Sequence, residues 1–245
     1  MPPPAATVPA VDLLGRAREH QWYHVLELAP GELTEGWFDL RPYVRHYGLP
    51  ERMDGMRALD VGTWDGFWAF EMERRGAEVV ALDVDRQEQL DYPPRLRPES
   101  FSEHPRGAGF ELAKEILGSK VERVACPIYD ATPEELGTFD LVLCGAVLIH
   151  LRDALLAVER IAALCRGTFV SAEAYDPLIS LLPFPAARFR ADRDKSVVFW
   201  EPAARTWGRL IHAAGFDHVE ERARFRAKSC RGFSVRHVVN HASGG

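Results

Sequence analysis

Asp60, Gly62, Asp65, Gly66 and Asp83 carry the first chemical pattern in this chain. Four of them fall within "ALDVGTWDGF", and Asp83 closes the apolar run "EVVALD" 23 residues past Asp60. Gly62 and Gly66 allow the backbone to bend sharply and a ligand to come close. A carboxylate ending the next apolar run is placed to accept both hydroxyls of a ribose.

Two ligands suit that layout. A dinucleotide fingerprint reads GxGxxG and sets a pyrophosphate over a helix N-terminus. Here the turn reads GxxxG, with Asp60 ahead of it and Asp65 inside it. Two acids repel a pyrophosphate, whereas they favour an amino group and a sulfonium. The pattern points to S-adenosylmethionine rather than NAD.

Such residues need a scaffold, and apolar periodicity supplies one. "MRALDVG", "EVVALDVD", "VERVACPIYD", "FDLVLCGAVLIHL" and "TFVSAEAY" read as buried strands. "DGFWAFEMERRG", "GFELAKEILGS" and "RDALLAVERIAALCRG" read as helices between them, and "PEELG" as one turn. Strands alternating with helices give a parallel sheet covered on both faces. "TWGRLIHAAGF" adds a last helix, and "HVEERARF" with "GFSVRHVVNH" a closing antiparallel hairpin. The expected fold is α/β, a doubly wound, mostly parallel seven-stranded sheet behind an N-terminal cap. Residues 1–10 read as a disordered tail, 11–50 as the cap or lid and 51–242 as the main domain. In the cap, "TEGWFDLRPYVRHYG" reads as a helix from Thr34 to Gly48. Insertions near 86–106 and 176–202 are expected to cover the substrate.

Composition narrows the partners. The formal net charge of −6 lacks the basic excess of a phosphate-backbone binder, which argues against nucleic acid. No apolar run is long enough to span a membrane, and the N-terminus lacks the pattern of a signal peptide. The four cysteines are scattered, with no metal-ligand spacing, so no metal is invoked and a reducing cytoplasm is expected. A monomer or a homodimer is expected.

The stretches "WYHVLELAPGELTEGWFDLRP", "ALDVGTWDGFWAFEMERRGA", "FDLVLCGAVLIHLRDALLAVERI" and "FWEP" with "AAGF" resemble the class I S-adenosylmethionine-dependent methyltransferases. Within that superfamily the chain is similar to the group labelled tRNA wobble-uridine (5-oxyacetate/methoxy-uridine) methyltransferase-like. The resemblance spans roughly residues 20–220. It implies a Rossmann-like fold, S-adenosylmethionine as methyl donor and S-adenosylhomocysteine as product. It places Asp60, Gly62 and Gly66 around the methionine part and Asp83 on the ribose. Asp130 would meet the adenine amino group, with Ile128 and Tyr129 alongside, and Gly145, Ala146 and Val147 would line the far side. Trp64 stands where many relatives have glycine, so this loop must hold a bulky ring over the cofactor or at the pocket mouth. The tRNA enzymes use carboxy-adenosylmethionine, which needs cationic partners. Lys114 and Lys120 are the only lysines before residue 195, which favours the ordinary donor. The acceptor implied is a small molecule of specialised metabolism methylated on O, N or C; a tRNA wobble uridine is the alternative.

Methyl transfer is an in-line displacement that needs a base only when the nucleophile carries a proton that must leave. His150, just past the fourth strand, is the candidate base; the plainer reading has it packing against the next helix. Trp22, Tyr23 and His24 read as a lid over the substrate, or as a cap packing its aromatics on the sheet. Glu173 and Tyr175 leave the fifth strand where a substrate should lie. Phe199 and Trp200 are expected wall residues, Tyr92 a residue reaching in from the first insertion, and Arg188 and Arg190 anion binders or surface charges.

Overall fold

The computed structural model describes residues 12–102, 105–192 and 198–244; the expected tail, 1–10, lies outside them. The cap opens with α1 (Leu13–Glu19), started by the Asp12 carboxylate accepting the Gly15 amide at 2.7 Å. A short hairpin follows, β1 (Glu27–Ala29) with β2 (Glu32–Leu33). The helix expected from Thr34 to Gly48 is shorter than its apolar spacing suggests: only Arg41–Tyr47 coils, as a 3-10 helix with Pro42 in its first turn. Residues 34–40 form no helix because their backbone is bonded elsewhere. Trp37 N–H donates to Tyr23 O at 2.8 Å, and Val25 N–H to Phe38 O at 2.9 Å. Gly36 presses so closely on the His24 backbone that a side chain there would collide with it.

The main domain runs β3 (Arg57–Val61), α2 (Phe67–Arg74), β4 (Glu78–Asp83), α3 (Ala108–Leu117), β5 (Glu122–Ala125), α4 (Pro133–Leu136), β6 (Phe139–Gly145), α5 (Ala154–Leu164) and β7 (Cys165–Ala174). The second insertion carries a strand pair that the sequence reading does not anticipate, β8 (Ala187–Phe189) with β9 (Trp200–Pro202). The chain ends with α6 (Ala204–Ala213), β10 (His218–Lys228) and β11 (Ser234–Ser243). Seven strands form one sheet in the order β10-β11-β7-β6-β3-β4-β5. β3 to β7 are mutually parallel, and β11 enters antiparallel between β7 and β10.

Side-chain alternation divides the core between the two faces. Ala58, Val79, Ala81, Leu141, Leu143 and Val170 pack with α2, α3 and the cap. Leu59, Val80, Leu82, Val142, Cys144 and Phe169 pack with α5 and α6. The chain leaves β3 toward β4 and β5 on one side and returns to β6 on the other. That reversal of strand order opens a crevice at the carboxyl ends of β3 and β6, the place where open α/β sheets bind ligands.

Candidate active site

The turn after β3 forms the floor of this crevice. Asp60 is buried, and its Oδ2 accepts the Ala69 amide at 3.1 Å from the first turns of α2. Burial pushes its carboxyl up to about 7, against the pull of the Thr63 hydroxyl and the Ala69 amide. Gly62 has φ +75°, and a methyl group on it would run into Val147 across the crevice. The turn therefore needs a residue with no side chain there, for conformation and for space.

Trp64 carries a bulky ring at φ +49°, a region costing a non-glycine residue on the order of 1–3 kcal/mol. Its amide donates to Asp83 Oδ2 at 2.9 Å, while Asp83 Oδ1 accepts the Val84 amide at 2.7 Å. Arg106 closes the group, 3.8 Å from Asp83 Oδ1 with its guanidinium 4.2 Å from the Trp64 ring centroid. Nothing in the local sequence distinguishes Arg106 from the other arginines of a polar, proline-rich interval. Asp65 serves a different end from the one its place in the turn suggests. It is buried, and its Oδ2 accepts the amides of Tyr23 at 2.6 Å and His24 at 3.0 Å, tying the turn to the cap. Burial pushes its carboxyl up to about 6.

Across the crevice β6 ends at Gly145, and Ala146 follows at φ +56° with its amide on Ala172 O at 2.9 Å. Glu173 corrects an expectation. It does not face a substrate: it is 0% exposed, and its Oε1 accepts the amides of Val147 and Leu148, each at 3.1 Å. Its Oε2 is buried without a partner, and burial pushes the carboxyl up to about 8. Glu173 thus pins the 3-10 turn Leu148–His150, which carries His150 half-buried at the strand ends. The second insertion docks on the same turn, Phe199 N–H donating to Ile149 O at 2.9 Å.

The remaining expected residues divide. Ile128 is buried in the turn after β5 and Asp130 at its end is exposed. The Tyr129 hydroxyl donates to Asp91 at 2.6 Å and accepts the Asp153 amide at 3.1 Å, bracing the first insertion against the start of α5. Tyr92 is buried against Phe101. Trp22 is a packing residue rather than a substrate contact: it is 2% exposed, its Nε1 donating to Ala17 O at 2.7 Å. Tyr23 lies 4.9 Å from the Trp64 ring. His24 is enclosed beside Phe67, and burial pushes its imidazole down to about 3. Tyr175 is half-buried under Arg224. Trp200 meets Phe189 edge-on at 5.1 Å. Arg188 pairs with Asp176 at 2.8 Å and Arg190 with Glu201 at 3.0 Å, so both arginines considered as anion binders are engaged by carboxylates of the same insertion.

A family model described as methyltransferase domain matches residues 33–221. The chain belongs to the class I methyltransferases. The chain is similar to the ubiquinone biosynthesis O-methyltransferase of Vibrio parahaemolyticus, 28% identical over 148 residues that cover 55% of each chain. It is also similar to the magnesium-protoporphyrin O-methyltransferase of Rhodobacter capsulatus, 30% identical over 105 residues, 42% of this chain and 38% of that one. The chain thus spans about half the length, or less, of these curated relatives. Among solved structures, the N-terminal domain of EvdMO1 with SAH bound superposes with a TM-score of 0.66 at 20% identity, covering 96% of both chains. The residues at the crevice fit the ligand that the family implies. Gly62 turns the backbone at φ +75° without a side chain, and the turn is flanked by the carboxylates of Asp60 and of Asp83, the last residue of β4.

Proposed function

We propose that the protein transfers a methyl group from S-adenosylmethionine to an O, N or C atom of a small molecule. The observation that carries this reading is the side-chain-free turn at Gly62 between the carboxylates of Asp60 and Asp83, at the point where strand order reverses. The bound sulfonium supplies an activated methyl group and its own leaving group. Asp60 holds the methionine amino group, Asp83 the ribose hydroxyls, and Ile128, Tyr129 and Asp130 border the adenine. Gly66 lets α2 start close to the turn, Trp64 covers the ribose side, and Gly145 lines the opposite wall. His150 takes the proton of an acceptor that must lose one. A small acceptor is supported by the net charge of −6 and by relatives named for quinone and porphyrin methylation. The cytoplasmic setting, a place in specialised metabolism and a monomeric or dimeric state belong to the same reading; among the described residues no helix is long and apolar enough to cross a membrane.

Calorimetric titration with S-adenosylhomocysteine tests it. The ligand's amino group needs Asp60 charged, and the free carboxyl titrates at about 7. Affinity should therefore rise with pH through 7, by up to about tenfold per unit on the acid side, and level off above it. Asp60→Asn should remove that pH dependence and weaken binding at least about tenfold. Absence of binding to the folded protein, or preference for NAD, would overturn the assignment. For His150→Ala, turnover should fall on the order of a hundredfold while the affinity for S-adenosylhomocysteine stays within about twofold. Full activity of that variant would reduce His150 to a packing residue.

A further inference from the structure

Three aromatic rings form a row leading away from the turn. Trp64 lies 4.9 Å from Tyr23 at 35°, and Tyr23 lies 6.4 Å from Trp37 at 32°. Trp64 and Trp37 are 39% and 40% exposed, unusual for indoles that merely pack. The row is built on a continuous run of hydrogen bonds. Asp65 accepts the Tyr23 amide, Tyr23 O accepts the Trp37 amide at 2.8 Å, and Trp37 O accepts the Cys230 amide at 2.8 Å. The Ser229 hydroxyl adds a second bond to Trp37 O at 3.1 Å. The turn between β10 and β11 is thereby fixed against the far end of the row.

An arginine stacks on each outer ring, Arg106 on Trp64 and Arg231 on Trp37 at 4.3 Å. Their charges are not equivalent. Arg106 faces Asp83. Arg231 forms no ion pair among the described residues, and a guanidinium stacked on an indole still presents its in-plane N–H groups to a carboxylate or phosphate. Trp37 and Arg231 also line a cleft of about 460 Å³ with Leu14 and Leu33. In that cleft Glu32 is paired with Arg18 at 3.1 Å, which leaves Arg231 as the lining cation without an ion pair among the described residues.

We propose that this row receives the methyl acceptor, and that the acceptor is a planar aromatic molecule whose anionic group Arg231 holds. The proposal rests on the methyltransferase reading for what happens at the Trp64 end. A ring stacked along the row lies next to the cofactor turn, and the anion at Arg231 fixes which end of the molecule faces it. The held ring at Trp64, in a conformation that glycine would adopt without strain, is then part of the acceptor platform.

Calorimetry on the protein loaded with S-adenosylhomocysteine tests this with four probes: 4-hydroxycinnamate, 4-methylphenol, cyclohexylacetate and methyl glucopyranoside. We expect 4-hydroxycinnamate to bind at least tenfold more tightly than the other three. Trp37→Leu and Arg231→Met should each weaken it at least fivefold while leaving the affinity for S-adenosylhomocysteine within twofold. Equal binding of 4-methylphenol, or undiminished binding to Arg231→Met, overturns the role of Arg231. Preference for the glucopyranoside replaces the aromatic acceptor with a sugar. No saturable binding of any probe to protein that holds S-adenosylhomocysteine overturns the proposal and leaves the methyltransferase reading standing. If S-adenosylhomocysteine itself fails to bind, that reading falls, and the same titrations on the protein alone still decide the row.

Discussion

Gly62→Ala is expected to cost about 2–4 kcal/mol of folding stability and to weaken S-adenosylhomocysteine binding at least about tenfold. Two separable terms contribute. The backbone at φ +75° disfavours any side chain by roughly 1–2 kcal/mol. The added methyl also meets Val147, a β-branched residue with few rotamers whose amide is held by Glu173. Val147→Ala in the same chain removes the clash but not the conformational cost, so the double variant should recover only part of the loss. Urea unfolding and calorimetry read the two effects. Near-normal binding by a folded Gly62→Ala protein would show that no ligand approaches this turn closely.

Glu173→Ala should lose about 2–4 kcal/mol, because the amides of Val147 and Leu148 would be left without an acceptor beneath the crevice wall. Glu173→Gln keeps an acceptor oxygen and should retain most of the stability at pH 7, with a changed response to pH. The carboxyl titrates at about 8 in the folded protein against 4.5 ordinarily, so the native state holds a proton that the unfolded chain releases. Its contribution is complete below 4.5 and is lost as pH rises through 8. Asp60, at about 7, and Asp65, at about 6, act in the same direction. His24, at about 3, and His237, at about 4, act oppositely, being neutral in the fold, and their effect ends near the ordinary imidazole value of 6.5. Above pH 6.5 only the acids remain. The melting temperature should fall from pH 6.5 to 8.5, and Glu173→Gln should flatten most of that slope above pH 7. A level profile in the unaltered protein would refute the assignment of a buried, protonated Glu173.

The parts legible in the sequence are those in which local pattern and tertiary role agree. The apolar runs around Asp60, Asp83 and Gly145 are buried strands, and the two C-terminal runs pair antiparallel. The glycine turn was legible because a conformational demand limits which residues can occupy it. The missed features are contacts between distant positions. Residues 34–40 read as helical yet form no helix, since their partners lie at 23–26. Asp65 resembles a ligand carboxylate until its bonds to Tyr23 and His24 are seen. Glu173 ends a strand where substrates lie, but its oxygen turns inward to amides 25 and 26 residues earlier. Arg106 gains its role only when the first insertion folds back over Trp64.

The bonds from Asp65 to the cap have a thermodynamic consequence. One carboxylate joins the turn that borders the cofactor crevice to the segment that carries Tyr23, so neither can be displaced without disturbing the other. An acceptor that favours one arrangement of that segment therefore favours one arrangement of the turn. Reciprocity then requires that the factor by which cofactor tightens acceptor be returned unchanged by acceptor to cofactor.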